Sequence, residues 1–478
     1  MISGPFIGQR HVQAVLLFAC IAVNYMIKYN TSIALVAMTN AATTNPDFPE
    51  YDWNEMEKSY ILSSIFWGYV VTQFIAGHAC RRFGAKMVLL VSTLGSAIAA
   101  IVVPFTVSWG GWQIFCFLRV LQGAFQGFDL PCVHVHLAMW SPVEERNRLG
   151  ALASSGIECG TVMAMFISGL IATSSLGWPG ISYVSGAIAI AWCILWQIFA
   201  ANSPSQSKFI SKNECNYIES SINAMKKESE ETATTGEQQI PIPWKAILHS
   251  PPFWALLIVR VAENWGFSAI QAKLPAYMNG VFGMDMKSNT LYSALPYITL
   301  WILSYCYLIL ADILLKYKIV SLNILRKSFN TVAYWVPTAG LIAVGFLEAD
   351  QQTLAIILMI TSVGLNSGCT IGSGLNPIDL SPNHAGILSS ITNAVGSIMP
   401  ILTPLVNGVV VTDETNRFQW QIVFAITAAV FFVGNLVYII WGSTDRQVWD
   451  NPNYLDAKKD AENSNELNSS QIENGTKL

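Results

Sequence analysis

Apolar runs close to the roughly 20 residues that a helix needs to cross a bilayer recur twelve times along this chain. They fall near 13–38, 59–79, 86–108, 112–138, 149–173, 178–200, 252–278, 290–314, 328–347, 353–374, 385–411 and 419–441. The first run is too long for a signal-peptide core and lacks a small-residue cleavage site, so it reads as the first span. Residues 201–251 are polar, with Lys208, Lys212, Lys226 and Lys227 and an acidic patch at Glu228, Glu230 and Glu231. The pattern predicts an all-α membrane protein of about twelve transmembrane helices in two six-helix halves, 1–200 and 252–445. The halves are joined by a cytosolic linker, 201–251. A tail, 446–478, rich in Asn, Ser, Asp and Glu, is expected to be disordered.

Loop charges orient these spans. One set of loops holds Arg81, Arg82 and Lys86, then Glu144, Arg146 and Arg148, then the linker, then Lys316, Lys318, Arg326 and Lys327. The opposite set is acidic or neutral: Asp47, Glu50, Asp52, Glu55 and Glu57; Glu348 and Asp350; Asp413 and Glu414. The positive-inside rule then places both termini and the linker in the cytosol. An error in the span count would break this alternation.

Composition narrows the function classes. Only 12% of the 478 residues are charged and 53% are hydrophobic, against about 25% charged in soluble proteins. The net charge of −4 carries no nucleic-acid signal. Nine cysteines form no Cys-x-x-Cys pair, so neither a disulfide framework nor a metal site is indicated. No catalytic constellation, ATP-binding domain or pore loop is legible. The reading is a non-enzymatic, cofactor-free transporter driven by a gradient, expected to be monomeric in the lipid bilayer.

Within the fourth run stands Arg119, where a fixed positive charge costs at least ~3 kcal/mol on insertion scales. Such a residue must face protein or a watery cavity, and there it attracts anions. Residues seven apart share a helix face, so Arg119, Gln122 and Gln126 form one polar stripe. Lys28 and Asn30 sit in the first span. Arginine offers a bidentate fork to carboxylate or phosphate and lysine a mobile point charge. These five are the candidate substrate-binding residues; the alternative is that each cation merely pairs with an acid to tie helices together. Asp129, Glu158 and Glu263 are the intramembrane acids and the candidates for ion coupling, with a fixed salt bridge (Glu263 to Arg119, Lys28 or Arg260) as their alternative. Arg81, Arg82 and Lys86, with Gly77 and Gly84, form a candidate gating loop, and a purely topogenic role is equally open.

Several stretches resemble one solute-carrier family, that of sialin, the vesicular glutamate transporters and the type I phosphate cotransporters. Arg119-Val-Leu-Gln122-Gly123-Ala-Phe-Gln126-Gly127, followed by Pro131, resembles its R-x-L-Q-G-x-x-E-G…P signature, and Phe66-Trp67-Gly68-Tyr69-Val-Val-Thr72-Gln73 its F-W-G-Y-x-x-T-Q run. Leu274-Pro275-Ala-Tyr277, Asn376-Pro-Ile-Asp379-Leu-Ser-Pro382 and Trp420-Gln-Ile-Val-Phe424 extend the likeness over about 12–450. The resemblance implies a major facilitator fold, with spans one, four, seven and ten lining a central cavity. It also implies transport of an organic or inorganic anion. The chain looks like a divergent member, however. Gln126 replaces the usual acid, Lys28 a frequent arginine, Leu62 a histidine, Glu263 an arginine and Arg81 an acidic gating residue.

The expectation is therefore a symporter of small anions, phosphate or organic carboxylates, coupled to Na⁺ or H⁺ by alternating access. The loss of the acid at Gln126 keeps two alternatives open: a transport-dead sensor or scaffold, and an uncoupled anion uniporter. Plasma membrane and an acidic vesicle or lysosome membrane would orient the chain identically.

Overall fold

The computed structural model describes residues 8–41, 44–142, 145–234, 242–284, 286–451 and 454, without the side chains of Arg81 and of 224–234 among others. The side chains of the linker's acidic patch and residues 455–478 thus lie outside the description. All regular structure among the described residues is helical.

In chain order the helices are α1 (Gln9–Thr39), α2 (Glu55–Phe83), α3 (Ala85–Gln126), α4 (Asp129–Trp140), α5 (Arg146–Ser154), α6 (Gly156–Ala172), α7 (Gly177–Phe199) and α8 (Lys212–Thr234). After these come α9 (Trp244–Leu248), α10 (Pro251–Phe282), α11 (Met286–Lys316), α12 (Leu322–Phe346), α13 (Gln352–Asn366), α14 (Asn376–Leu380), α15 (Ala385–Gly396), α16 (Met399–Val410) and α17 (Arg417–Trp441). Among the described residues, ten helical stretches are long and apolar enough to cross a membrane, including Ala85–Trp140 with 56 residues. At 1.5 Å per residue that stretch would be about 80 Å long, far beyond the roughly 30 Å hydrocarbon core. It folds back at Gly111, whose φ of 63° and ψ of −157° no helix accommodates, and so makes two passages. α10 is long enough to span but carries Arg260, Glu263 and Lys273. With these two adjustments the structure has twelve passages, the number that the apolar runs predict.

α2 and the second arm of α3 touch backbone to backbone. A Cβ on Gly123 would lie 1.7 Å from the Ile65 carbonyl oxygen, and one on Gly68 would lie 2.0 Å from that of Val120. Small residues that permit such approach drive helix association where lipid removes the hydrophobic incentive. This packing explains the glycines in both motifs. α1 packs on α6, α6 on α11, α2 on α16, and α10 on α17, while α1 meets α10 near the centre.

Two features depart from the sequence reading. Cys80, at the end of α2, and Cys132, in α4, are joined as a disulfide; their separation of 52 residues gave no local spacing to recognise. Within the tail expected to be disordered from 446, residues 446–451 pack against the rest of the protein, with Trp449 and Asp450 buried. Asp450 accepts hydrogen bonds from the Ser381 hydroxyl and, at 3.1 Å, from the Asn383 amide, and Trp449 packs with Ile247, Phe253 and Leu388. The linker also carries structure. Ile218 of α8 is buried beside Trp140, and Glu214 accepts from the Gln9 and Arg10 amides at 2.9 and 3.1 Å, anchoring α8 to the start of α1.

Candidate functional site

Arg119 projects from the second arm of α3 into the packed interior and is 2% exposed. One terminal nitrogen donates to Gln122 Oε1 at 2.9 Å and to the Ile27 carbonyl at 3.2 Å, and the other donates to the Lys28 carbonyl at 2.7 Å. These neutral acceptors hold the guanidinium without cancelling its charge. Its Nε is buried with no partner, and among the described residues no carboxylate lies within ion-pair distance of it. Lys28 Nζ lies 4.4 Å from the centroid of the Tyr25 ring and 4.1 Å from that of Tyr69. Aromatic faces attract a cation by their quadrupole, again leaving its net charge uncompensated by a paired acid.

Arg119 and Lys28 line one small pocket with Tyr29 and Ser32 of α1, Ser268 and Gln271 of α10, and Pro400 and Pro404 of α16. Helices from both ends of the chain thus enclose it. Arg119 also borders a second pocket with Asn30, Thr31, Gln122 and Trp178, built wholly from helices before residue 200.

The other expected residues separate. Asn30 faces away from Lys28 and donates to Ser185 Oγ at 3.2 Å. Gln126 donates to Ser96 Oγ at 2.9 Å, toward the first arm of α3. Seven residues share a face but lie about 10 Å apart along the axis, and at the depth of Gln126 the neighbour has changed. Asp129 accepts from Ser92 Oγ at 2.5 Å, within electrostatic reach of Lys28. Glu158, in the first turn of α6, keeps a buried Oε2 without a partner. Glu263 pairs with Arg260 at 2.7 Å and accepts from the Cys369 thiol at 3.2 Å, the fixed pair that the sequence left as one option.

Of the gating trio, Arg82 is exposed, with its guanidinium carbon 5.6 Å from the Phe83 ring centroid. Lys86 Nζ donates to the Gln197 carbonyl at 3.2 Å, and the Arg81 side chain lies outside the description.

Sequence reasoning missed a charged cluster on the face of the acidic loops. Lys273 of α10, 2% exposed, pairs with Glu55 at 2.6 Å. Glu55 also pairs with Lys58 at 2.6 Å, and Lys58 reaches Glu414 at 3.4 Å. The cluster ties the start of α2 to α10 and to the turn before α17. Lys273, a further cation inside an apolar run, was the available signal.

Twelve passages among the described residues, around a small pocket with two buried cations, define a membrane transporter. A sequence model described as the Major Facilitator Superfamily matches residues 17–404. The chain is 35% identical to a Drosophila ananassae protein named as a candidate inorganic phosphate cotransporter, covering 96% of this chain and 98% of that one. It is 30% identical to human sialin, covering 92% and 90%, and 30% identical to zebrafish (Danio rerio) vesicular glutamate transporter 3, covering 93% and 75%. This chain belongs to the Major Facilitator Superfamily, within the family of sialin, the vesicular glutamate transporters and the phosphate cotransporters. Among solved structures, the E. coli xylose transporter in an inward open conformation superposes with a TM-score of 0.68 at 12% identity, covering 93% of this chain and 98% of that one. A bacterial homologue of the human lysosomal transporter Spinster gives 0.66 at 13% identity, covering 92% and 98%. At these identities the likeness concerns the fold.

Proposed function

We propose that this protein is a symporter that carries a small anion, inorganic phosphate or an organic carboxylate, together with Na⁺ or H⁺. One observation carries this reading: Arg119 is buried at a pocket reached by α1, α10 and α16 with no acid beside it. A charge held at that cost without a counter-ion is available to a substrate. The guanidinium would supply the directed fork, and the Lys28 ammonium would supply the second positive charge. The two halves, residues 1–200 and 252–445, would then rock around the loaded pocket, and Arg82 and Lys86 would take part in closing the basic face.

Coupling follows from the same bookkeeping of charge. Glu263 is occupied by Arg260, so of the three candidate acids Asp129 and Glu158 are the ones without an ion pair among the described residues. Glu158, with an unpartnered oxygen, is the favoured proton carrier; were it inert, Na⁺ would be the coupling ion. The basic face would look to the cytosol, in the plasma membrane or in an acidic organelle.

The test is uptake of labelled phosphate, glutamate, sialate and urate into cells expressing the chain, under imposed Na⁺ or pH gradients. At least one anion should accumulate with one gradient, and Arg119→Ala should abolish it. Uptake unchanged in Arg119→Ala would remove the site assignment. Absence of any uptake despite expression would point to a sensor.

A further inference from the structure

The wall of the Arg119 pocket contributed by α10 contains an acceptor that no cation on the other wall satisfies. Gln271 is 1% exposed and lines the pocket together with Arg119, Lys28 and Ser268. Its Nε2 donates to Thr161 Oγ1 of α6 at 3.4 Å. The amide could in principle be turned the other way, but the Thr161 hydroxyl has already given its proton to the Ile157 carbonyl at 2.9 Å. Thr161 Oγ1 therefore accepts from Gln271, which fixes the amide nitrogen toward α6. The carbonyl oxygen, Oε1, is left buried without any partner. An unsatisfied buried acceptor is destabilising, and structures rarely leave one unexplained.

We infer that Gln271 selects, among small anions, those that also carry a hydrogen-bond donor. Arg119 and Lys28 take the anionic oxygens, and Gln271 Oε1 accepts from a P–OH, hydroxyl or ammonium group on the same molecule. The substrate class is then hydrogen phosphate, 2-hydroxy carboxylates or amino acids, and the rejected class is donor-free anions of similar shape, such as sulfate and simple carboxylates. A site built to receive a hydrogen bond discriminates strongly against an analogue lacking the donor, because its polar group is left unpaired.

This inference rests on the anion reading of Arg119, and the experiment separates the two. The purified full-length protein is placed in liposomes, and uptake is measured for two matched pairs: labelled phosphate with sulfate, and lactate with propionate. Wild type should favour the donor-bearing member of the transported pair at least tenfold. Gln271→Met, of similar shape but without the acceptor, should bring that ratio to within about twofold. Thr161→Val, which frees the amide to turn, should give an intermediate ratio without removing the side chain. Uptake that depends on Arg119 but shows no preference in wild type, or an unchanged preference in both variants, would overturn the role of Gln271. Uptake that ignores Arg119→Ala would overturn the anion reading beneath it.

Discussion

At the scale of single residues, the fork of Arg119 matters as much as its charge. Two of its hydrogen bonds go to consecutive carbonyls of α1, Ile27 and Lys28, so the side chain spaces α1 from α3 while facing the pocket. Lysine keeps the charge but cannot span both carbonyls and a substrate oxygen. Arg119→Lys should lower uptake at least tenfold, with most of the loss in KM, and Arg119→Ala should leave none; kinetics in liposomes read the difference. Glu158→Gln should abolish stimulation by a pH gradient while binding of the anion persists. Equal stimulation in wild type and variant would assign coupling elsewhere.

This residue was legible in the sequence because a guanidinium in an apolar run is conspicuous by itself. Its partners were not, since hydrogen bonds to Ile27 and Lys28 carbonyls have no side-chain signature. Gln126 shows the limit from the other side. Its spacing from Arg119 gave the correct face of the helix, but which helix stands opposite at that depth is decided by tertiary packing.

Among elements, the contact of α2 with the second arm of α3 is the tightest that the structure displays in the first half of the chain. Gly123→Ala would drive a methyl into the Ile65 carbonyl, a backbone group that cannot swing aside. The variant should lose several degrees of thermal stability in detergent, on the order of 2 kcal/mol or more if the helices part. The clasp of α8 adds ion pairs to the apolar contact of Ile218 with Trp140. Arg10 pairs with Glu145 at 2.6 Å and with Glu214 at 3.1 Å. The hydrogen bond from Arg10 holds the Glu145 carboxyl below its ordinary range. Since that value is depressed in the folded state, its contribution is present at neutral pH and is lost as the pH falls through the depressed value. Arg10→Ala should therefore raise amide exchange in α8 at pH 7. Acidification of the wild type below the usual Glu range, about 4, should instead raise exchange at the start of α5, where Glu145 stands. The element count was legible because each passage is an apolar run bounded by polar residues. The dock of α8 was not, because Glu214 and the start of α1 are 204 residues apart.

For the whole molecule, the cluster of Lys273, Glu55, Lys58 and Glu414 is the part of the structure that joins distant elements across the acidic face. Lys273 inside its apolar run is the one local mark; Glu55 reads as an ordinary acid at a helix start, where it also favours the N-terminus. Only the fold brings α10 to it. Buried ion pairs are costly to break by removing one partner, so the cluster should hold this face closed. Lys273→Met leaves Glu55 only Lys58. In a background lacking other reactive cysteines, a cysteine placed at Leu274 should then react faster with a membrane-impermeant thiol reagent added on the acidic side. An unchanged labelling rate would mean that the cluster is structural and does not gate.

The clip formed by Asp450 has a consequence for how the chain is made. The turn at Ser381 and Asn383 is translated well before its acceptor, which lies beyond the last span. Until residue 450 has been added, this turn has donors without an acceptor beside the apolar cluster of Ile247, Phe253 and Leu388. A product that stops short after α17 contains every span and still exposes that unfinished corner. The segment around Asp450 thus acts as a completion mark, distinguishing a finished chain from a nearly finished one.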